Sequence, residues 1–132
     1  MDITQSLEEF GARSDLLSTQ EKEELDEKGY VFLYDIIDSA WLEALRMRFE
    51  ELCDKEGVHA GIEVHQEEGV RRLSDLPNKG AVFDRVYTHP KVLTAIHHVI
   101  GRDFRLSSLN ARDALPGQGH QRLHADWGKD YD

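Results

Sequence analysis

Gln121-Arg122-Leu123-His124-Ala125-Asp126 is the stretch that decides how this chain is read. The segment reads as a strand, and a strand points residues two apart to the same face of the pleat. His124 and Asp126 would then aim an imidazole and a carboxylate at one point. Those are two thirds of the 2-His-1-carboxylate facial triad that holds non-heme Fe(II). A third ligand is not evident elsewhere in the chain. The hexapeptide therefore points to a chemistry that the chain is not expected to complete alone.

Working back toward the N-terminus, Pro116-Gly117-Gln118-Gly119 reads as a turn. Before it, from Asp103, the period is two. Phe104, Leu106, Ser108, Asn110 and Arg112 share one face, and Arg105, Ser107, Leu109, Ala111 and Asp113 share the other. A long strand of such mixed polarity suits the wall of a wet cavity. Pro90 opens a helix that Gly101 stops, with Val92, Leu93, Ile96, Val99 and Ile100 as its buried face. His97 and His98 flank that face and read as partly packed helix residues rather than ligands. Residues 81–87 read as a short helix, 77–80 as a turn, 70–73 as a short strand and 58–69 as a polar loop.

Asp38 or Ser39 can cap a helix running to about Glu56, with Leu42, Leu45, Phe49 and Leu52 as one apolar stripe. Cys53, beside Leu52, reads as a partly buried structural thiol. Tyr30-Val31-Phe32-Leu33-Tyr34, aromatic and β-branched, reads as a buried strand. Ser18-Thr19-Gln20-Glu21 is a capping box that opens a short acidic helix ending at Gly29. Residues 1–17 show no sustained period and read as a partly disordered extension to a domain over residues 18–132.

The 132 residues suit one small domain or part of a larger one. A net charge of -10 weighs against nucleic acid or an anionic membrane surface as partner. No apolar stretch approaches the ~20 residues of a membrane span. The N-terminus lacks the basic start and apolar core of a signal peptide. A single cysteine excludes an internal disulfide and fits a reducing cytosol, so a cytoplasmic protein is expected.

The element order gives an α+β fold class: N-terminal helices packed on the first strands of an antiparallel barrel or jelly roll. Such a barrel needs about eight strands, and this chain supplies about four. The barrel is expected to be incomplete, the chain truncated after the ligand motif. The last strand would be an exposed edge that favours self-association.

Taken together, residues 20–132 resemble the phytanoyl-CoA dioxygenase family. The resemblance is carried by Leu25-Asp26-Glu27-Lys28-Gly29-Tyr30-Val31-Phe32-Leu33, by His89-Pro90-Lys91-Val92-Leu93, and by Ile100-Gly101-Arg102-Asp103-Phe104-Arg105-Leu106. Asn110-Ala111-Arg112 and the opening hexapeptide complete it. The family consists of Fe(II)- and 2-oxoglutarate-dependent oxygenases with a double-stranded β-helix (cupin-like) core. The resemblance implies Fe(II) as cofactor, 2-oxoglutarate and O2 as co-substrates, and hydroxylation of an unactivated C–H bond in a small-molecule substrate. It makes His124 and Asp126 the first two iron ligands. Related halogenases carry a small residue where Asp126 stands, so hydroxylation is favoured over halogenation. Arg72 falls where the family often has a Lys touching the co-substrate, though Arg71 could be the match. Asn110 and Gln121 are further candidates to contact the co-substrate. Asn110 reads equally as a cross-strand polar pair, and Gln121 as a cap on the turn. The distal His ligand and the basic residue that anchors 2-oxoglutarate are not among the 132 residues, so the chain as written is expected not to turn over.

Two other readings stand beside this one. The first is a non-catalytic binding module that retains the scaffold. The second is a zinc site using His120, His124 and Asp126. On a strand, however, His120 and His124 would lie ~13 Å apart, too far for one metal.

Overall fold

Two capped helices frame the molecule, whose computed structural model describes residues 3–125. Ser18 Oγ accepts the Glu21 N–H at 3.1 Å, and the Glu21 carboxylate accepts the Ser18 N–H at 2.8 Å. This reciprocal pair satisfies two of the donors that a helix start leaves open. Helix α2 (Thr19–Lys28) follows and ends at Gly29, whose φ of 76° is the left-handed turn glycine takes without strain. Of the two expected caps, Asp38 is the one used: it accepts the Trp41 N–H at 2.8 Å and opens α3 (Ser39–Glu56).

Among the described residues the chain is α+β. Its order is α1 (Ile3–Glu9), α2, α3, β1 (Val70–Leu73), α4 (Asp84–Thr88), α5 (Pro90–Ile100) and β2 (Ala111–Ala114), with short 3-10 turns between. The two strands form one antiparallel sheet in which Val70 faces Ala114, Arg71 faces Asp113, Arg72 faces Arg112 and Leu73 faces Ala111. Strand periodicity puts Arg71, Leu73, Ala111 and Asp113 on one face and Val70, Arg72, Arg112 and Ala114 on the other. The first face meets α3. Leu73 and Leu52 are buried there with Leu76 and Phe83, and Phe49 and Cys53 pack against them. Full burial of a leucine such as Leu73 contributes about 1.5–3 kcal/mol. Trp41 anchors the start of α3, its Nε1 donating to Val82 O at 3.0 Å and its ring lying under the Arg85 guanidinium.

Several sequence expectations are corrected here. Residues 30–34 are not a buried strand. Tyr30, Phe32 and Tyr34 are 57%, 63% and 77% exposed, and among the described residues no backbone–backbone hydrogen bond reaches this segment. Aromatic and β-branched residues suit a strand, but a strand exists only where a neighbour supplies the ladder. The rings stack on one another instead, edge to face at 5.8 Å and offset at 6.0 Å.

The long strand expected from Asp103 is shorter than its alternation suggests. Only Ala111–Ala114 form the ladder with the four-residue β1, and single hydrogen bonds from Leu115 N to Gly69 O and from Leu76 N to Leu109 O extend it at either end. Leu42, Val99 and Ile100 are exposed, so the apolar stripes of α3 and α5 stop short of those positions.

Within residues 1–17 there is order that periodicity did not signal. Ile3–Glu9 is helical, and Leu7 and Ala12 are buried against Leu93 of α5. A helix this short is held by docking rather than propensity. Among the described residues, no helix is long and apolar enough to cross a membrane.

Candidate functional site

The sheet face turned away from α3 carries an unusual pairing: two arginines directly opposite one another, Arg72 on β1 and Arg112 on β2. Like charges so placed repel. The loop between α3 and β1 brings Glu67 between them. Its Oε1 accepts from Arg72 Nη1 at 2.7 Å, from His65 Nε2 at 2.8 Å and from Gln121 Nε2 at 2.9 Å. Its Oε2 accepts from Arg112 Nε at 2.8 Å. Donors from four segments thus converge on one carboxylate. They hold Glu67 well below its ordinary 4.5, down to about 2, with the His65 contact first and Arg112 and Gln121 adding to it. Hydrogen bonds to an ionised partner are roughly twice as strong as neutral ones.

Arg72 is mostly buried, its side chain 11% exposed. Besides Glu67, its Nη1 meets His65 Nε2 at 2.9 Å. That one ring nitrogen can donate to Glu67 or accept from Arg72, but not both at once. Arg72 Nε is buried without a hydrogen-bond partner.

The segment that follows β2 folds back over this same face. Gly119 lies so close that a Cβ there would stand 2.6 Å from Val70 Cγ2 and 3.0 Å from Ala114 Cβ, and its φ is +66°. Glycine is required on both counts. A Cβ at Gly69 would run into the Gln118 side chain. Arg112 Nη2 donates to Gly119 O, and Gln121 reaches Glu67. The chain that leads to His124 is therefore fastened to the sheet just before it.

His124 itself is exposed. Its Nδ1 lies 2.7 Å from Arg122 O. A carbonyl only accepts, so Nδ1 carries the hydrogen in this contact, which in the neutral form of an imidazole leaves the lone pair on Nε2. That tautomer suits a metal ligand, and a carbonyl on the other ring nitrogen is the usual way a ligating imidazole is oriented. Residues 121–125 are not in a strand, so the pleat does not set the direction of His124. Asp126 lies outside the described residues. Among the described residues, no group of three His, Cys, Asp or Glu side chains could hold a metal ion. The donor chemistry of His124 fits one position of an Fe(II) site.

The candidates are partly brought together. Arg72 and Gln121 meet at Glu67. Asn110 stands apart, its Oδ1 accepting the Asp75 N–H at 3.2 Å. That bond continues the β1–β2 pairing past Leu73, at a residue whose φ is +54°. A cavity of about 690 Å³ also opens beside β2, lined by Leu45, Phe49, Phe83 and Leu109, with Arg71 and Asp113 at its edge. It is mostly apolar and faces α3, and Asn110 and Arg112 also line it, whereas Glu67 does not.

A family model described as phytanoyl-CoA dioxygenase (PhyH) matches residues 25–129. The chain belongs to the phytanoyl-CoA dioxygenase family. The match begins within α2 and runs through β1, β2 and the His124 segment, so the site described above lies wholly inside it. The family is one of Fe(II)- and 2-oxoglutarate-dependent oxygenases. No solved structure matches the chain. Sequence reasoning singled out Arg72, Gln121 and His124 and gave no place to Glu67, His65 or Arg112, which the structure joins to Arg72 and Gln121. A lone glutamate in a polar loop carries no signal by itself. The available clue was the excess of basic side chains on strands otherwise expected to line a cavity.

Proposed function

We propose that the chain supplies two iron ligands, His124 and Asp126, and part of the co-substrate pocket of an Fe(II)- and 2-oxoglutarate-dependent hydroxylase. The observation that carries this reading is the family match through residue 129, which includes both residues. The His124 tautomer supports it. The substrate would be a small organic molecule. Two strands with helices on one face would be the opening of a double-stranded β-helix, with the polar face of Arg72 and Arg112 turned to the interior.

Fe(II), when bound, would supply O2-dependent oxidation of an unactivated C–H bond with 2-oxoglutarate as co-substrate. His124 would give a neutral nitrogen through Nε2, oriented by Arg122 O. Asp126 would give a carboxylate, occupying the position that a small residue leaves open to halide in related halogenases. Arg72 and Gln121 would offer donors to a co-substrate carboxylate from the polar sheet face. A bidentate guanidinium is suited to that task. Asn110, which uses its oxygen on Asp75, could present only its amide N–H.

A specific observation favours a second reading. Arg72 and Gln121 already direct donors to Glu67, as in a scaffold that binds no co-substrate. One titration separates the two. Under the hydroxylase reading, Co(II) gives a weak six-coordinate visible spectrum that 2-oxoglutarate perturbs and that His124→Ala and Asp126→Ala abolish. A parent protein that takes up neither Co(II) nor 2-oxoglutarate supports the non-catalytic module.

A further inference from the structure

Glu67 does more than neutralise two arginines, because the fourth donor it collects comes from the segment that ends in His124. Gln121 is three residues before His124, and Gly119, two residues further back, gives its carbonyl to Arg112, which Glu67 also holds. Glu67 thus sits at the crossing of the α3–β1 loop, both strands and the ligand segment. Residues 121–125 form no strand or helix of their own. The contacts of Gly119 and Gln121 help to seat them.

We propose that Glu67 is a positioning residue, setting where the His124 segment lies on the polar face of the β1–β2 sheet through Gln121 and through Arg112. This rests on the reading of His124 as a metal ligand, but the seating can be measured without any metal. With Glu67 ionised, Arg72 and Arg112 are drawn to one point, and Arg112 Nη2 is left aimed at Gly119 O. Without that charge the two guanidiniums repel, Arg112 is free to turn away, and both fastenings of the segment loosen together. The opposite face offers an internal control of similar chemistry. There Glu50 and Asp113 share Arg71, with Glu50 Oε2 2.7 Å from Nη1 and Oε1 3.0 Å from Nη2. Among the described residues, Glu50 forms its hydrogen bonds with Arg71 and none with the ligand segment.

The test is backbone 15N relaxation on the full chain, followed residue by residue. In Glu67→Gln, order parameters of residues 119–125 should fall from about 0.85 to below about 0.6, from rigid to flexible backbone. Order parameters within α3 and α5 should be unchanged. Glu50→Gln should leave residues 119–125 as in the parent. Gln121→Leu removes one fastening and leaves the arginines paired, so it serves if Glu67→Gln unfolds. It should lower the order parameters of residues 121–125 by a smaller amount. Unchanged order parameters in both Glu67→Gln and Gln121→Leu overturn the proposal, as does an equal fall in Glu50→Gln, which would make Glu67 only one of several sheet-stabilising charges. A Co(II) titration of the same proteins adds a spectroscopic readout, with uptake weakened about tenfold in Glu67→Gln. If the parent itself takes up no Co(II), the ligand reading of His124 fails, while the relaxation result still decides the seating.

Discussion

Arg72 and Arg112 face each other directly across the strand pair, and the Glu67 carboxylate bridges them with one oxygen each. The arrangement is asymmetric in its consequences. Removing either arginine leaves a matched pair, whereas removing the carboxylate leaves two cations opposed.

Glu67→Ala should therefore lower Tm more than Arg112→Ala, by several degrees, although the arginine is the larger side chain. Thermal unfolding of the two variants side by side checks the order. The reverse order would mean that packing of the Arg112 stem outweighs its charge.

Acid stability follows from the same carboxylate. Its folded value is depressed, from an ordinary 4.5 to about 2, so its contribution is fully present above about 4.5 and is lost as the pH falls toward about 2. Glu21, Glu50 and Asp38 are lowered too, each by a hydrogen-bonded partner: Lys91, Arg71 and the Trp41 N–H in turn. Stability should be level from neutral pH down to about 4.5 and then fall. In Glu67→Gln the fall should be shallower, as read from unfolding midpoints across that range.

In the core, Leu73 is fully buried and Leu42 is 38% exposed, although sequence patterning places both among apolar elements. Leu73→Ala should cost about 2–5 kcal/mol, the range for truncating a buried leucine. Leu42→Ala should change stability by no more than about 0.5 kcal/mol. Urea unfolding of the two variants measures both.

The caps give a local test. Replacing Asp38 with Ala removes the acceptor for the Trp41 N–H and the partner of Arg85, and should cost about 0.5–2 kcal/mol by urea unfolding.

What could be read from the sequence follows from range. Ser18 with Glu21, Gly29, Pro90 and Gly101 act over three or four residues, and each stands where local reasoning puts it, as does Asp38, one of the two caps offered for α3. The strand at Val70–Leu73 was legible as well. Residues 30–34 and the stretch from Asp103 were not, because pairing depends on a neighbour that composition does not name. Alternation at Leu106, Ser108 and Asn110 described a pleat for which β1 supplies no partner. The helix at Ile3–Glu9 was hidden for a related reason: Leu7 and Ala12 matter only once Leu93 is beside them. His124, Arg72 and Gln121 were singled out by resemblance to a family, and the structure brings Arg72 and Gln121 together at Glu67. Glu67 was not, since its role exists only when β1 and β2 pair in the observed register and set Arg72 against Arg112.

The central claim is that His124 and Asp126 bind a metal in this chain. It is tested most directly by adding Co(II) to the intact protein and recording its visible spectrum, then repeating with His124→Ala and Asp126→Ala. The account predicts a weak, six-coordinate spectrum in the parent, perturbed by 2-oxoglutarate and lost in both variants. An intense tetrahedral spectrum, or one that survives either substitution, would contradict it.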